Sequence, residues 1–433
     1  MQIKSVRGVS DILPSEAGVW QRIEHTARLI LELFGYKEIR TPIFEQTTLF
    51  TRSIGEETDI VSKEMYTFPD RKGQLLSLRP EGTAPVVRAY LQHSLHMDPR
   101  WHKLYYMGPM FRYERPQAGR TRQFHQIGAE FFGAAEPEAD AEQIILLFTM
   151  FKRLWGTSGA GDPGPFQVQV NTLGCHDCRE GFRTALRRYV GQRASLLCED
   201  CQRRFTVNPL RILDCKNPAC KEVLEGAPRV IDTLCEDCRL HFDRVRELLD
   251  EQGIRYIINP HLVRGLDYYT RTTFEITSHL LGAQNALAGG GRYDRLVEEF
   301  GGPPTPACGF ALGMERLVLA LSGTSPRTDE HAGCFVFVAY LGPDAKRRAF
   351  GMVHHLRLLG VPAEMSFQEG SLKAQMKHAH RLDTLYTIIV GEDELARGSV
   401  ILKQMQTGNQ EEIPLEKISA ILHERYTSLQ AEG

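Results

Sequence analysis

The stretch from Phe111 to Gly133, FRYERPQAGRTRQFHQIGAEFFG, constrains the fold of this 433-residue chain more than any other. Two runs rich in aromatic and apolar residues flank the turn-forming sequence PQAG, which predicts an antiparallel β-hairpin. Successive side chains of a strand point to opposite faces, so Gln126, Gly128 and Glu130 share one face of the second run. Either this face is a solvated edge of the hairpin, or its amide and carboxylate line a binding site.

The turn of the predicted hairpin is also rich in arginine. The sequence FRYERPQAGRTRQFHQ resembles motif 2 of the class II aminoacyl-tRNA synthetases, in the form used by histidyl-tRNA synthetases. The resemblance implies that Arg112 holds the α-phosphate of ATP and that the loop touches the acceptor end of a tRNA. It also implies that Gln126 binds the ammonium group of histidine and that Glu130 binds its imidazole ring.

The N-terminal part of the chain predicts a helix followed by a strand. Ser15 is expected to cap the helix, apolar residues from Trp20 to Phe34 follow at helical spacing, and Gly35 ends it. The next segment, YKEIRTPIFEQTTLF, is expected to form a strand in which Pro42 lies at an edge or an interface, because proline lacks a ladder donor. Together they resemble motif 1 of the class II synthetases, which implies a homodimer built through the catalytic core.

The sequence RPEGTAPVVR predicts another helix, with Glu81 and Thr83 at its start. Two interpretations of Glu81 stay open at this point. The carboxylate either caps free backbone N–H groups or accepts charge-assisted hydrogen bonds from a bound cation. RPEGT also resembles a histidyl-tRNA synthetase motif, which implies that Glu81, Gly82 and Thr83 bind the amino end of histidine.

Three later segments carry the remaining predicted site residues. LVRGLDYYTRTTFEI and ALAGGGRYDRL resemble two motifs peculiar to histidyl-tRNA synthetases and their close relatives, and CGFALGMERLVLAL resembles motif 3. The first motif implies that Arg264 bridges the histidine carboxylate and the α-phosphate, and that Tyr268 and Tyr269 line the amino-acid pocket. On spacing alone, Arg264 is instead a structural arginine paired with a neighbouring carboxylate. Motif 3 implies that Arg316 holds the γ-phosphate of ATP, which would offset the cost of a cation at a helix N-terminus.

Residues 175–250 differ in composition from the sequence around them, and we interpret them as a helical insertion. Its basic bias is either a solvated helical face or a contact for a phosphate backbone. Eight of the ten cysteines lie here, in the pairs Cys175/Cys178, Cys198/Cys201, Cys215/Cys220 and Cys235/Cys238. The first two pairs have the spacing of a four-cysteine zinc site, and the last two are grouped as a second. Free buried thiols are the alternative.

The C-terminal quarter of the chain predicts a separate domain. Residues 321–333, LSGTSPRTDEHAG, read as a linker, and strands then alternate with helices before a hairpin and a final helix. This pattern predicts a small α/β domain with a mainly parallel sheet, and it resembles the anticodon-binding domain of the same family. We therefore expect a class II catalytic core with an antiparallel sheet at residues 1–325 and an anticodon-binding domain at residues 326–433.

Composition narrows the functional classes. The formal net charge is −2, so a tRNA partner must be met by local basic patches rather than by the field of the whole molecule. We find no apolar run of 18 residues and no signal-peptide core at the N-terminus. We therefore expect a cytoplasmic protein without a membrane partner, whose cysteines are thiols or metal ligands.

The resemblance covers almost the whole chain and implies a histidine–tRNA ligase. Such an enzyme activates L-histidine with ATP and Mg²⁺ and transfers it to the 3′ end of tRNA(His). Phosphoryl transfer needs cations where charge builds up, and Arg112, Arg264 and Arg316 supply them. The alternative is a non-catalytic, histidine-sensing regulatory subunit of ATP phosphoribosyltransferase, which shares the fold. Arg264 and the complete C-terminal domain favour the enzyme, because the regulatory subunit typically lacks both.

Overall fold

The computed structural model describes residues 3–55, 58–156, 164–213, 215, 217–263, 266, 268–282, 285–322 and 334–432. The chain divides into two compact units, Met1–Pro326 and Arg327–Gly433. Arg264 and most of the predicted linker lie outside the described residues.

Strands and α-helices are interspersed along the described residues of the N-terminal unit. In chain order, its strands are β1 (Lys37–Glu38), β2 (Phe44–Gln46), β3 (Thr67–Pro69), β4 (Leu75–Leu78), β5 (His102–Phe111), β6 (Gln123–Phe132), β7 (Phe166–Thr172), β8 (Tyr256–Ile258), β9 (Thr270–Ser278), β10 (Ala286–Arg292) and β11 (Ala307–Gly313). Its α-helices are α1 (Pro14–Leu33), α2 (Thr47–Ile54), α3 (Thr83–Gln92), α4 (Pro137–Trp155), α5 (His176–Gly191), α6 (Glu199–Val207), α7 (Pro218–Leu224), α8 (Glu236–Glu251), α9 (Leu296–Glu299) and α10 (Met314–Ser322).

One large sheet organises the N-terminal unit. Its strand order is β1-β5-β6-β11-β10-β9-β7-β8, and the neighbours from β5 through β7 are antiparallel. Only the two ends are parallel, where β1 pairs with β5 and β8 pairs with β7. Apolar side chains of α1, α4, α8 and α10 pack with those of the strands in one buried cluster. The predicted antiparallel catalytic core is confirmed.

Helix α1 has the predicted buried stripe but a different start. The stripe comprises Trp20, Ile23, Ala27, Ile30 and Leu31. The helix begins at Pro14, and its N-cap residue Leu13 makes no side-chain cap. The prediction that Ser15 caps the helix was therefore wrong. Proline suits the first helical position, because its φ is already helical and it has no N–H to satisfy.

The single strand predicted around Pro42 was also wrong. Strand β1 joins the large sheet, whereas β2 joins a small sheet of order β2-β4-β3, and Pro42 lies between them. Thr47, which was expected within the strand, begins α2. Since proline cannot donate to a ladder, a change from one sheet to another at Pro42 leaves no donor unpaired.

The predicted hairpin forms, but its first strand lies earlier in the chain. Strand β5 ends at Phe111, where the expected strand begins, and it pairs with β6 from Phe111 opposite Gln123 to His102 opposite Phe132. Residues 112–122 instead form the connecting loop. A hydrogen bond of 2.9 Å from the Arg112 N–H to the carbonyl of Arg122 closes this loop. All of the run FRYER except Phe111 thus belongs to the loop, and its charged side chains follow the end of β5.

The insertion is helical, as predicted, and comprises α5, α6, α7 and the start of α8. Helix α8 then packs on α4 as part of the main core. The cysteines group differently from the prediction: Cys175, Cys178, Cys235 and Cys238 lie together, and so do Cys198, Cys201, Cys215 and Cys220. Grouping consecutive pairs was wrong because the insertion folds back on itself and brings its beginning and end side by side.

The C-terminal unit has the predicted α/β architecture. In chain order it contains β12 (Val336–Tyr340), α11 (Pro343–Leu358), β13 (Ala363–Met365), α12 (Leu372–Arg381), β14 (Tyr386–Val390), α13 (Glu392–Ala396), β15 (Ser399–Gln404), β16 (Gln410–Pro414) and α14 (Ile418–Glu432). The strand order is β13-β12-β14-β15-β16, parallel at β12 and antiparallel in the final hairpin. Among the described helices of the whole chain, none is long and apolar enough to span a membrane.

Candidate active site

A cavity lies over the central strands β6, β10 and β11, between the start of α3, loop 112–122 and the first turn of α10. Eight of the side chains singled out in the sequence line it: Glu81, Thr83, Arg112, Gln126, Glu130, Tyr268, Tyr269 and Arg316. The fold therefore collects residues from separate motifs at one place. Gly82 is not among the lining residues, and Arg264 is outside the described residues.

The geometry of β6 explains how a carboxyl group reaches the cavity from inside a sheet. Gln126 and Glu130 lie on the same face, as the alternation predicted, and pair with Gly313 and Gly309 of β11. A Cβ atom on Gly309 would come within 2.1 Å of Oε2 of Glu130. Glycine on the neighbouring strand thus leaves the room that the carboxyl group occupies.

Glu130 is an acid of the cavity whose pKa is strongly raised. Its side chain is buried, and Oε1 accepts a hydrogen bond of 2.7 Å from the hydroxyl of Thr83. Its Oε2 accepts a hydrogen bond from the hydroxyl of Tyr293. Burial raises the pKa of Glu130 to about 8, against the opposing effect of these hydrogen bonds. A group that exchanges a proton near neutral pH inside a cavity is a candidate for ligand recognition.

Glu81 and Gln126 bring further oxygen acceptors to the same cavity. The Glu81 carboxylate accepts the backbone N–H groups of Thr83 at 2.6 Å and Ala84 at 2.9 Å, so it caps α3. Burial raises the pKa of Glu81, while those N–H groups and Arg112 oppose the shift. Oε1 of Gln126 is buried without a hydrogen-bond partner among the described residues. An unmatched buried acceptor is costly unless a ligand supplies the donor.

Gly82 has a packing role beside the cavity. A Cβ atom on Gly82 would lie within 2.2 Å of the Tyr106 ring, and one on Gly128 within 2.3 Å. The ring of Tyr106 therefore fits between α3 and β6 only because both positions are glycine. This explains the glycine of RPEGT without a direct ligand contact.

Two arginines enter the cavity from different elements. Nε of Arg112 donates to the carbonyl of Pro80 at 2.9 Å, and its guanidinium lies 5.2 Å from the centre of the Phe124 ring. Nη1 of Arg316 donates to the carbonyl of Ala286 at 2.9 Å. These contacts hold both side chains in place, which prepares them for an anion with several oxygens.

Five more charged or polar lining residues were not selected from the sequence: Glu114, Arg120, Thr121, Tyr293 and Glu315. Arg120 forms an ion pair with Glu114 across the loop. Glu315 accepts hydrogen bonds from the backbone N–H of His125, at 2.9 and 3.0 Å. Tyr293 directly follows β10 in ALAGGGRYDRL, and the resemblance of that segment to a motif of histidyl-tRNA synthetases was the sequence signal for it.

Comparisons with known proteins show which family the sequence matches. A family model described as "Histidyl-tRNA synthetase" matches residues 8–317, and one described as "Anticodon binding domain" matches residues 335–425. A Syntrophotalea carbinolica protein named "Histidine--tRNA ligase" is 50% identical over 428 residues, covering 98% of this chain and 99% of that protein.

Solved structures give the same result. The apo histidyl-tRNA synthetase of S. aureus is similar with a TM-score of 0.81 and 36% identity, covering 98% of this chain and 100% of that one. A Bacillus halodurans C structure is described as an ATP phosphoribosyltransferase regulatory subunit/histidyl-tRNA synthetase. It has a TM-score of 0.63 and 22% identity, covering 90% of this chain and 99% of that one, which is a likeness of fold alone.

The large antiparallel sheet, with its cavity between motifs 2 and 3, is that of a class II aminoacyl-tRNA synthetase. Within this class, the chain belongs to the histidyl-tRNA synthetase family. The family model spans nearly all of the N-terminal unit, and half of the positions are identical to a full-length member.

The raised pKa of Glu130 predicts a pH dependence of stability. The carboxyl group titrates near its ordinary value of 4.5 in the unfolded chain and near 8 in the folded one. Its contribution to stability is complete below pH 4.5 and is lost as the pH rises towards 8, by at most about 1.4 kcal/mol per pH unit. Relative to Glu130→Gln, we expect the ligand-free wild type to lose stability between pH 5 and pH 8, measured as urea midpoints. A difference that does not change with pH would contradict the assignment.

Proposed function

We propose that this chain activates L-histidine with ATP, forming histidyl-adenylate and diphosphate, and transfers the histidyl group to the 3′ end of tRNA(His). The observation that carries the proposal is the pairing of two kinds of chemistry in one cavity. The buried carboxyl group of Glu130, surrounded by tyrosines, stands beside the phosphate-suited arginines Arg112 and Arg316. Neither a simple nucleotide site nor a simple amino-acid site needs both.

The amino-acid end of the site is proposed to recognise histidine at three points. Imidazole has two polar nitrogens, and Glu130 and Tyr269 are the proposed partners for them. Tyr268 completes this wall of the pocket, with its ring centre 4.7 Å from that of Tyr269. The ammonium group would meet Glu81, Thr83 and Gln126, and the buried Gln126 oxygen supports this assignment because it lacks a protein donor among the described residues.

The ATP end of the site is proposed to depend on arginine. Arg112 would hold the α-phosphate and Arg316 the γ-phosphate, which leaves the α-phosphorus open to in-line attack by the histidine carboxylate. ATP would arrive as its Mg²⁺ complex. The carboxylates of Glu114 and Glu315 in the lining are oxygen donors of the kind that Mg²⁺ accepts. Arg264 is proposed to bridge the histidine carboxylate and the α-phosphate; this role is supported by the motif LVRGLDYYTRTTFEI alone.

The two units are proposed to have different functions. Residues 1–325 would carry the chemistry and residues 326–433 would bind the anticodon, which the two family matches support. The tRNA would contact loop 112–122 with its acceptor end. The regulatory-subunit alternative has less support, because the structure whose name mentions it is 22% identical to this chain and shares the fold alone.

The proposed reaction is tested by histidine-dependent exchange of diphosphate into ATP, together with Arg264→Ala. We expect the wild type to exchange with histidine and to charge tRNA(His). The variant should still bind histidine within about tenfold of the wild type, while adenylate formation falls by about 10²–10³, because a charge-stabilising donor acts mainly in the transition state. Arg100→Ala is the matched control, since that side chain is 84% exposed.

Two outcomes would contradict these assignments. A wild type without histidine-dependent exchange favours the regulatory subunit. A near-normal rate of adenylate formation in Arg264→Ala, measured before the steady state, makes Arg264 a structural residue.

Selectivity for histidine is tested by Glu130→Gln. The substitution keeps the shape of the side chain but removes its acidic group, so we expect the KM for histidine to rise far more than the KM for ATP. An imidazole nitrogen would lose a partner that can ionise when histidine binds, whereas the phosphates would keep Arg112 and Arg316. Equal losses for both substrates would count against the proposed pocket.

A homodimer is proposed to form through the catalytic core. Pro42 lies in the chain between β1, an edge strand of the large sheet, and β2, an edge strand of the small sheet, and the adjacent Ile43 and Phe44 are 45% and 54% exposed. Apolar side chains at a sheet edge are typical of an interface. We expect both the full chain and a fragment of residues 1–325 to sediment as dimers. A folded but monomeric fragment, with the full chain dimeric, would move the interface to the C-terminal unit.

A further inference from the structure

We propose that the helical insertion binds two zinc ions, each held by four cysteine thiolates. The base cluster consists of Cys175, Cys178, Cys235 and Cys238. The tip cluster consists of Cys198, Cys201, Cys215 and Cys220. Within each cluster, all four sulfur atoms lie within 4.8 Å of one another.

The sulfur–sulfur distances fit a mononuclear tetrahedral ion. Zinc–sulfur bonds of about 2.3 Å in a tetrahedron place the sulfur atoms about 3.8 Å apart. The structure has 3.6 Å between the sulfurs of Cys175 and Cys178, and 3.9 Å between those of Cys198 and Cys215. A disulfide needs about 2.05 Å, and an iron–sulfur cluster holds its thiolates around a body of several atoms. Zinc is favoured over other metals because four thiolates in a tetrahedron suit it without redox chemistry.

The backbone around the sulfurs is arranged to stabilise thiolates. Cys175, Cys198 and Cys235 occupy the N-cap positions of α5, α6 and α8, where the helix dipole favours negative charge. In the base cluster the arrangement is reciprocal. The N–H of Cys175 donates to Sγ of Cys238 at 3.2 Å, and the N–H of Cys235 donates to Sγ of Cys178 at 3.1 Å.

The tip cluster has one hydrogen bond of the same kind, from a backbone N–H to a sulfur atom. The N–H of Cys198 donates to Sγ of Cys220 at 3.2 Å, and Cys220 lies in the first turn of α7. N–H groups that point at sulfur are donors to the deprotonated form, which is the form that binds metal. In both clusters four sulfur atoms lie close together, and at least one of them accepts a hydrogen bond from a backbone N–H group. Buried thiols without a shared ligand need neither feature.

The position of the clusters explains what the metal would do. The insertion has a small apolar core of its own, including Phe182, Leu186 and Leu224, and small cores need further cross-links. The base cluster joins the start of the insertion after β7 to its end before α8. The tip cluster joins α6 to α7. Gly174 makes the close approach possible, since a Cβ atom there would lie 2.4 Å from Cβ of Cys178.

Metal analysis of the full chain tests the proposal. Protein is purified without chelators from cells grown with added zinc, and metals are measured by mass spectrometry. We expect about two zinc ions per chain. Cys198→Ser and Cys235→Ser should each reduce this to about one, because each removes a ligand from one cluster. Cys334→Ser, a thiol outside both clusters, should leave it at two.

The wild type alone also decides the matter if a variant fails to fold. X-ray absorption at the zinc edge should show four sulfur neighbours at about 2.3 Å. Metal below one ion per chain, iron in place of zinc, or disulfides within the clusters would each overturn the proposal. Because none of these readouts uses aminoacylation, failure here leaves the proposed function untouched.

Discussion

The site depends on one interaction, the burial of the Glu130 carboxyl group within an antiparallel sheet. A buried carboxylate is unfavourable unless it is hydrogen-bonded, and Thr83 and Tyr293 supply two hydrogen bonds from different segments. Both donors are neutral, so they reduce but do not cancel the rise in pKa. The group can therefore still interact with an incoming polar ligand, whereas an acid already paired with a cation cannot.

A second buried acid, packed against the same sheet, shows the difference. Asp140 on α4 pairs with the buried Arg292 at 3.0 Å and also contacts His241 and the hydroxyl of Thr272. Its charge is met by a cation and its oxygens are occupied, so the group ties α4 and α8 to β9 and β10. Among the described residues, no ion pair involves Glu130. The fully paired acid holds the fold together, whereas the acid without a cationic partner faces the cavity, and this contrast supports Glu130 as the proposed ligand-binding group.

The sequence predicted which residues lie together at the cavity better than it predicted the bounds of the elements. Alternation in β6 placed Gln126 and Glu130 on one face, because a strand has a period of two whatever its neighbours are. The register of that strand against β11, and hence the need for glycine at Gly309, is a property of tertiary pairing and was not predictable. The start of β5 was missed for a related reason: aromatic and basic residues suit a strand and a loop equally. Glu130 meets Tyr293 and Thr83 because three separate segments pack together, and the spacing within a single motif does not predict that packing.

The sequence also did not predict which cysteine pairs lie together. CxxC spacing identifies three of the four pairs as units, namely Cys175/Cys178, Cys198/Cys201 and Cys235/Cys238. Two residues three apart at a helix start lie on the same side of the first turn. Which pairs join is decided by the path of the chain between them. Cys178 and Cys235 are far apart in sequence, yet the insertion must leave and re-enter the sheet at neighbouring strands, so its two ends meet. If the base cluster holds the two ends of the insertion together, its tip can vary without displacing β7 or α8. Zinc at the base cluster would therefore protect the cavity from changes in the insertion. With consecutive pairing, no metal would join the two ends.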